Sequence, residues 1–351
     1  MSDDGPATAA IEVAFPDRRV ASVERPSGSD YPGNEVLRVA FADGEPAAAY
    51  LKVATADDGS ERIAREAVLF RYLDAHGAVT VPTVIAVGPA ADPPHLATAP
   101  LPGTRLFDDL AGDENGAADP DPDSLRPLLC RLGRALAGVH AARLDRAGWI
   151  RGGDADGLDL AVDPWPTVLR ERVVEPHPAP DRFADVPGRA ADLIAEGAAA
   201  LELSSDDRPE PTVVHGDCHL QNVHDDPLGV VDLESAKAGD PVYDLAYTED
   251  LAIDGRPELT AAERDDLRAA LRDGYRTGAD AHDLPVAASG LPPGYEHRRA
   301  TYRSVTFLVT VATFERWAPE ADEPVDDLTE WVREEFDRRV AAARSTSPSP
   351  V

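Results

Sequence analysis

The segment Val213–Glu234, VVHGDCHLQNVHDDPLGVVDLE, constrains this chain more than any other stretch. Two short apolar runs, Val213–Val214 and Val230–Val231, read as the ends of buried β-segments. Between them stand His215-Gly216-Asp217 and then Asn222, and Asp232 follows the second run directly. A tight loop and a short hairpin therefore deliver a carboxylate, a carboxamide and a second carboxylate.

Those three groups are what magnesium-assisted phosphoryl transfer requires: a carboxylate for the proton of an attacking hydroxyl, and an amide oxygen and a second carboxylate for Mg²⁺. Asp217 and Asn222 fit the spacing H-x-D-x-x-x-x-N. Asp217 is the candidate base, and Asn222 and Asp232 are the candidate metal ligands, an oxygen-only set suited to a hard cation. His215 is expected to brace the loop by hydrogen bonds, and Gly216 to permit its tight backbone. An Asx-turn loop with a terminal strand Asp is the plainer structural reading, and the three residues in combination outweigh it. Glu234 shares a face with Asp232 and reads either as support behind the metal ligands or as a solvated acid.

Upstream, short β-type runs surround one helix. Strands are expected at Val20–Glu24, Val36–Phe41, Ala48–Val53, Thr83–Val87 and Leu96–Ala99. The helix should run from about Glu61 to His76, with N-cap chemistry from Asp57, Asp58 and Ser60 and closure at Gly77. Pro100-Leu101-Pro102-Gly103 reads as a hinge, after which helices dominate. Leu125, Leu128, Leu129, Leu132, Leu136 and Val139 form one stripe of a core helix, with Pro127 expected in its first turn. Further helices are expected near Trp165–Val173, Ala190–Leu203, Pro241–Leu251, Ala261–Arg276, Tyr295–Trp317 and Leu328–Ala343. The division is a nucleotide-binding lobe and hinge over 1–103, a helical lobe with the catalytic loop and substrate site over 104–344, and a disordered Ser/Pro-rich tail over 345–351.

Lys52 is one of only two lysines in the chain, the other being Lys237. Glu66 falls at helical spacing from Ile63 and Phe70, on an apolar stripe where a glutamate needs a partner. Pairing Lys52 with Glu66, with the ammonium also reaching nucleotide phosphates, accounts for both residues. The loop Ser27–Asn34, with Gly28 and Gly33, could cover those phosphates with backbone N–H groups, although it lacks G-x-G-x-x-G. By position, Thr98 to Leu101, including Ala99 and Leu101, would meet the adenine edge. His215, Cys218, His219 and His224 cluster in sequence, but without H-E-x-x-H or C-x-x-C spacing they make a poor zinc site. Asp240-Pro241 reads as an N-cap followed by proline at N1, and Asp244, one turn on, could reach back to the loop.

Composition narrows the partners. Asp+Glu number 65 against 34 Lys+Arg, a net charge of −31, which repels nucleic acid and anionic membranes. The acid is spread along the whole length, so it reads as a solvated surface of the kind found in halophilic proteins rather than as a device for recruiting a cationic substrate. Two cysteines make no disulfide framework. Neither a signal sequence nor an apolar run long enough to span a bilayer is present, which leads to the expectation of a soluble cytoplasmic protein.

HGDCHLQN, VVDLE and GDPVYDLA, in this order, resemble the aminoglycoside phosphotransferase / choline kinase group of the protein-kinase-like fold. AYLKV, the Glu66 helix and the PLPG hinge agree with it. The resemblance implies an α+β, bilobal protein-kinase-like fold, with a small antiparallel-sheet N-lobe carrying one main helix and a larger, mostly helical C-lobe. It implies ATP or GTP with Mg²⁺ in the cleft, Asp217 as catalytic base, Asn222 and Asp232 as metal ligands, and Lys52 with Glu66 as the phosphate-positioning pair. Leu233 replaces an aromatic often found after the metal Asp, and Ala99-Pro100 occupy a hinge that often carries an acid. The expected activity is transfer of the γ-phosphoryl of ATP to a hydroxyl of a small molecule, the acceptor binding near the helices after Asp240. The alternatives are a nucleotide-binding regulatory pseudokinase and a protein kinase. Gly216 and the lack of an activation segment between Asp232 and Gly239 speak against the protein kinase.

Overall fold

The computed structural model describes residues 5–26, 33–108, 121–203, 209–256 and 259–346, with the largest sheet in the first third of the chain and the longest helices after it. The chain divides into two units by packing. The first comprises residues 1–112, 150–159 and 221–236, and the second residues 113–149, 160–220 and 237–351. A division at Gly103 counts 221–236 with the second lobe, whereas by packing this hairpin belongs to the first.

The first unit is built on a five-stranded antiparallel sheet in the order β1-β2-β3-β5-β4. The strands are β1 (Val20–Glu24), β2 (Asn34–Phe41), β3 (Ala48–Ala54), β4 (Val84–Gly88) and β5 (His95–Thr98). Alternation sends Leu37, Val39, Phe41, Ala49, Leu51 and Val53 to one face, where they bury against Ala10, Ala14 and Phe15. Ala10 and Ala14 belong to a helix α1 (Pro6–Ala14) that the sequence reading did not anticipate, although alanine-rich PATAAIEVA with proline at its start has strong helix propensity. Helix α2 (Gly59–His76) packs against β3, β4 and β5. It begins two residues before the expected start. Asp58 makes no side-chain cap, and the Ser60 hydroxyl instead donates to the Pro89 carbonyl at 2.7 Å.

Past the expected hinge the chain does not go straight into helix. Thr104–Arg105 pairs with His224–Asp225, and Val223–Asp225 pairs in turn with Gly229–Val230. Gly103 makes this return possible, because at φ +81° a Cβ on it would lie 1.8 Å from the Asp225 carbonyl oxygen.

The second unit is mostly helical. The leucine stripe lies on the helix Pro122–His140, and all six stripe residues are buried. Its start differs from expectation. Asp121 caps it by accepting from Asp123 N and Ser124 N, and Pro122 takes the first position, so Pro127 falls in the second turn. This helix lies against Ala261–Ala281 at very short range. A Cβ on Gly274 would be 1.9 Å from Cys130 O, and one on Gly133 would be 2.1 Å from Leu271 O. Lys237–Gly239 pairs with Thr212–Val214 and with Gly148 in a small sheet that the sequence reading placed only in part. The expected Tyr295–Trp317 helix is three pieces, Tyr295–Thr306, Leu308–Ala312 and Phe314–Trp317. The last helix runs from Val325 to Thr346, so Ser345 and Thr346 are helical; the rest of the expected tail, 347–351, lies outside the described residues. Among the described residues no helix is long and apolar enough to cross a membrane.

Candidate functional site

Period-two alternation in β3 puts Leu51 and Val53 into the layer under α1 and Lys52 on the opposite face. There Glu66 emerges from the buried stripe of α2, between Ile63 and Phe70. Lys52 Nζ stands 3.1 and 2.9 Å from the two Glu66 oxygens. It also lies 2.8 Å from Asp232 Oδ1 and 3.3 Å from Glu234 Oε2. Burial works against the ammonium, but three carboxylates outweigh it and hold Lys52 well above the ordinary lysine range. The Glu66 carboxyl is pushed up to about 7, first by burial, with Asp232 and Glu234 adding to the rise and Lys52 opposing it. The two directions are consistent: the lysine faces three acids, whereas the glutamate faces one lysine and two other acids.

The hairpin of the same unit positions the two candidate metal ligands. Val223 pairs with Val230, and the Val231 N–H donates to Asn222 O at 3.0 Å. Asn222 thus stands beside Val231, one residue before Asp232. The strand itself ends at Val230, and Asp232 is presented from irregular chain two residues on, with φ +61°, rather than from a strand end as expected. Aspartate is one of the few residues that adopt this left-handed backbone at modest cost.

Glu234 corrects the reading of a solvated acid. It accepts from Asn34 Nδ2 at 2.8 Å and from Lys52, with Arg62 Nη1 at 3.7 Å, while Arg65 donates to its backbone carbonyl at 2.6 Å. Arg62 and Arg65 were missed by sequence reasoning, and Asn34 was read only as the end of the phosphate-covering loop. Arg65 is buried beside Glu66 in α2, a polar residue where an apolar one is expected, and that signal could have found it.

The expected phosphate-covering loop is represented by Gly33, with φ +94° and a carbonyl that accepts from Arg62 at 3.0 Å. Gly28 lies outside the described residues. At the expected adenine edge, the Ala99 N–H already donates to Thr83 O at 2.8 Å, so it is committed to the sheet. Leu101 is buried, and a Cβ on Gly229 would meet its side chain at 2.8 Å.

In the second unit, the loop after Thr212–Val214 is gripped by one helix, Pro241–Glu249. Asp240 caps that helix by accepting from Val242 N at 2.9 Å, with Pro241 at the first position. Asp244, Tyr247 and Thr248, spaced i, i+3 and i+4, share a face. Asp244 accepts the backbone N–H groups of His215 at 2.6 Å and Gly216 at 2.8 Å. Tyr247 Oη donates to Asp217 Oδ1 at 2.8 Å, and Thr248 Oγ1 donates to Cys218 O at 2.8 Å. Gly216 has φ +79°, the tight backbone expected of it, and His215 Nδ1 accepts the Asp217 N–H at 3.3 Å, bracing the loop. Behind Asp244, His140 Nε2 lies at 3.2 Å, and the other nitrogen of that ring is 3.1 Å from the Tyr275 hydroxyl. Burial alone would raise the Asp244 carboxyl, but His140, His215 and the Gly216 N–H hold it below the usual carboxylate range.

Among the described residues, one group of three acidic, His or Cys side chains has ligand atoms close enough for a shared metal: Glu66, Asp232 and Glu234, within 4.8 Å of one another. Three carboxylates make a hard, oxygen-only donor set whose chemistry fits Mg²⁺ or Ca²⁺ rather than zinc.

A family model described as "Phosphotransferase enzyme family" matches residues 32–282, well over half of the chain. No curated protein matches the chain significantly. Solved structures resemble it over nearly its whole length. A candidate fructosamine-3-kinase of Thermobifida fusca has a TM-score of 0.58 at 21% identity, covering 97% of this chain and 100% of its own. An amicoumacin kinase in complex with AMP-PNP, Ca²⁺ and Ami has 0.57 at 15%, with 90% and 88% covered. The GDP complex of an aminoglycoside 2'-phosphotransferase-IIIa has 0.51 at 14%, with 97% and 99% covered. The chain has the protein-kinase-like α+β fold of these neighbours.

Proposed function

The chain belongs to the phosphotransferase enzyme family, and we propose that it transfers the γ-phosphoryl group of ATP to a hydroxyl of a small molecule in an Mg²⁺-dependent reaction. The observation that carries this reading is the Lys52 ammonium, held at two points by Glu66 and 2.8 Å from Asp232. A cation fixed beside oxygen ligands for a metal suits a triphosphate and has no evident use in packing. The neighbours point the same way: one holds AMP-PNP with Ca²⁺ and another holds GDP.

In this reading Lys52 meets the nucleotide phosphates, and Glu66 keeps its ammonium in place. Asn222 and Asp232 would hold Mg²⁺, which when bound neutralises charge on the phosphate oxygens. Asp217 orients the acceptor hydroxyl. It receives the proton as the new O–P bond forms and the bond from the γ-phosphorus to the bridging oxygen breaks. Positioning and charge neutralisation supply most of the acceleration.

The test is transfer of label from [γ-³²P]ATP with Mg²⁺ to a panel of hydroxyl metabolites, for the wild type and Asp217→Asn. Labelled small molecule from the wild type alone supports the reading. Stabilisation by Mg²⁺-ATP without transfer to any acceptor favours a nucleotide-binding regulator, and label on protein favours a protein kinase.

A further inference from the structure

We propose that Tyr247 is a positioning residue for the reaction, setting the orientation of the Asp217 carboxylate through its phenolic hydrogen bond. The inference rests on the reading of Asp217 as the catalytic base. It goes beyond that reading in assigning a role to a residue outside the motifs that point to the activity.

A carboxylate on a loop turns about two side-chain torsions, and a base that rotates freely meets the acceptor hydroxyl only part of the time. The loop backbone is fixed around Asp217. Asp244 holds the N–H groups of His215 and Gly216, and Thr248 holds the Cys218 carbonyl. Tyr247 reaches the Asp217 side chain itself, donating to Oδ1 at 2.8 Å. Its hydroxyl is in turn held by its ring, which is buried at 6% exposure and lies against Tyr243 with centroids 6.2 Å apart. Its helix is anchored at the start by Asp240, which also accepts from the buried Arg298 guanidinium at 2.6 Å. The donor therefore sits on a rigid element, as precise positioning requires. His219 Nε2 is 3.8 Å from the same Oδ1, beyond direct hydrogen-bond range.

Tyr247 does not touch the reacting atoms in this scheme. It acts only through Asp217, and a double-mutant cycle tests that. Tyr247→Phe keeps the ring and its packing and removes only the hydroxyl. Hydrolysis of Mg²⁺-ATP with water as acceptor is measured for the wild type, Asp217→Asn, Tyr247→Phe and the double variant, together with melting temperatures. The expected result is a kcat about ten-fold lower for Tyr247→Phe, with the KM for ATP unchanged and the melting temperature retained. In the Asp217→Asn background the second substitution should then cost nothing further. An unchanged kcat for Tyr247→Phe, or the same ten-fold loss in both backgrounds, overturns the proposal. So does a loss of kcat that tracks a fall in melting temperature, since it marks a packing role. Asp217→Asn with undiminished turnover overturns instead the reading of Asp217 on which the proposal rests.

Discussion

Lys52 and Glu66 form a two-point ion pair, Nζ to Oε1 and Oε2 at 3.1 and 2.9 Å, in which the glutamate is 3% exposed and the lysine 16%. The pair is a poor source of stability. Taking a carboxylate out of water costs more than one ammonium returns when two further acids stand nearby, and the Glu66 carboxyl accordingly lies near 7 rather than 4.5.

That shift gives a pH prediction with a definite sign. The folded state holds the Glu66 proton more tightly than the unfolded chain does, so stability falls as pH rises from about 4.5 to about 7 and is unaffected by this group above that window. Glu66→Gln removes the titration. Its stability relative to the wild type should therefore rise across this window, by on the order of 3 kcal/mol, and then level off. Urea denaturation of both proteins at pH 5, 6, 7 and 8 measures it, and a constant difference would contradict the shift.

Asp232→Asn should raise the Mg²⁺ concentration needed for half-maximal turnover by roughly ten-fold or more, since one anionic ligand becomes neutral. A titration of activity against Mg²⁺ at fixed ATP reads this. An unchanged Mg²⁺ dependence would remove Asp232 from the metal's ligands.

Asp244→Asn should cost about 2–4 kcal/mol of stability. The carboxylate accepts two backbone N–H groups, and an amide offers only one oxygen to them, leaving a buried donor facing a donor. The Asp244 carboxyl lies below its ordinary value, so its contribution is present above pH 4 or so and is lost only as pH falls through the lower folded value. Denaturant midpoints at pH 7, alongside turnover, should fall together as the loop loosens.

Gly274→Ala should destabilise by about 2 kcal/mol despite alanine's better helix propensity. The new Cβ would lie 1.9 Å from Cys130 O, a backbone atom that cannot rotate away. Equal or higher thermal stability would show that the two helices can separate at small cost.

The lysine and glutamate were each legible because local periodicity exposed them, Lys52 as a charge in a β-run and Glu66 as an acid on an apolar helical stripe. The loop was legible because Asp217, Asn222 and Asp232 are near neighbours in sequence. Asn34 was not, since its bond to Glu234 joins residues 200 positions apart. Nor was Tyr247, 30 positions from the aspartate it contacts, whose aromatic side chain reads in sequence as ordinary core.

By itself the sequence determined the main strands and long helices, the buried stripes and the acidic, amide and amine groups available for chemistry, because these depend on side-chain period and residue type over a few turns. Only the tertiary structure decided that Glu234 is tied to Lys52 and Asn34, that the strand after Gly103 folds back onto Val223–Asp225, and that two helices meet through glycine. Those outcomes depend on which distant backbones can approach within hydrogen-bonding range, a property of pairs of segments that neither segment carries alone.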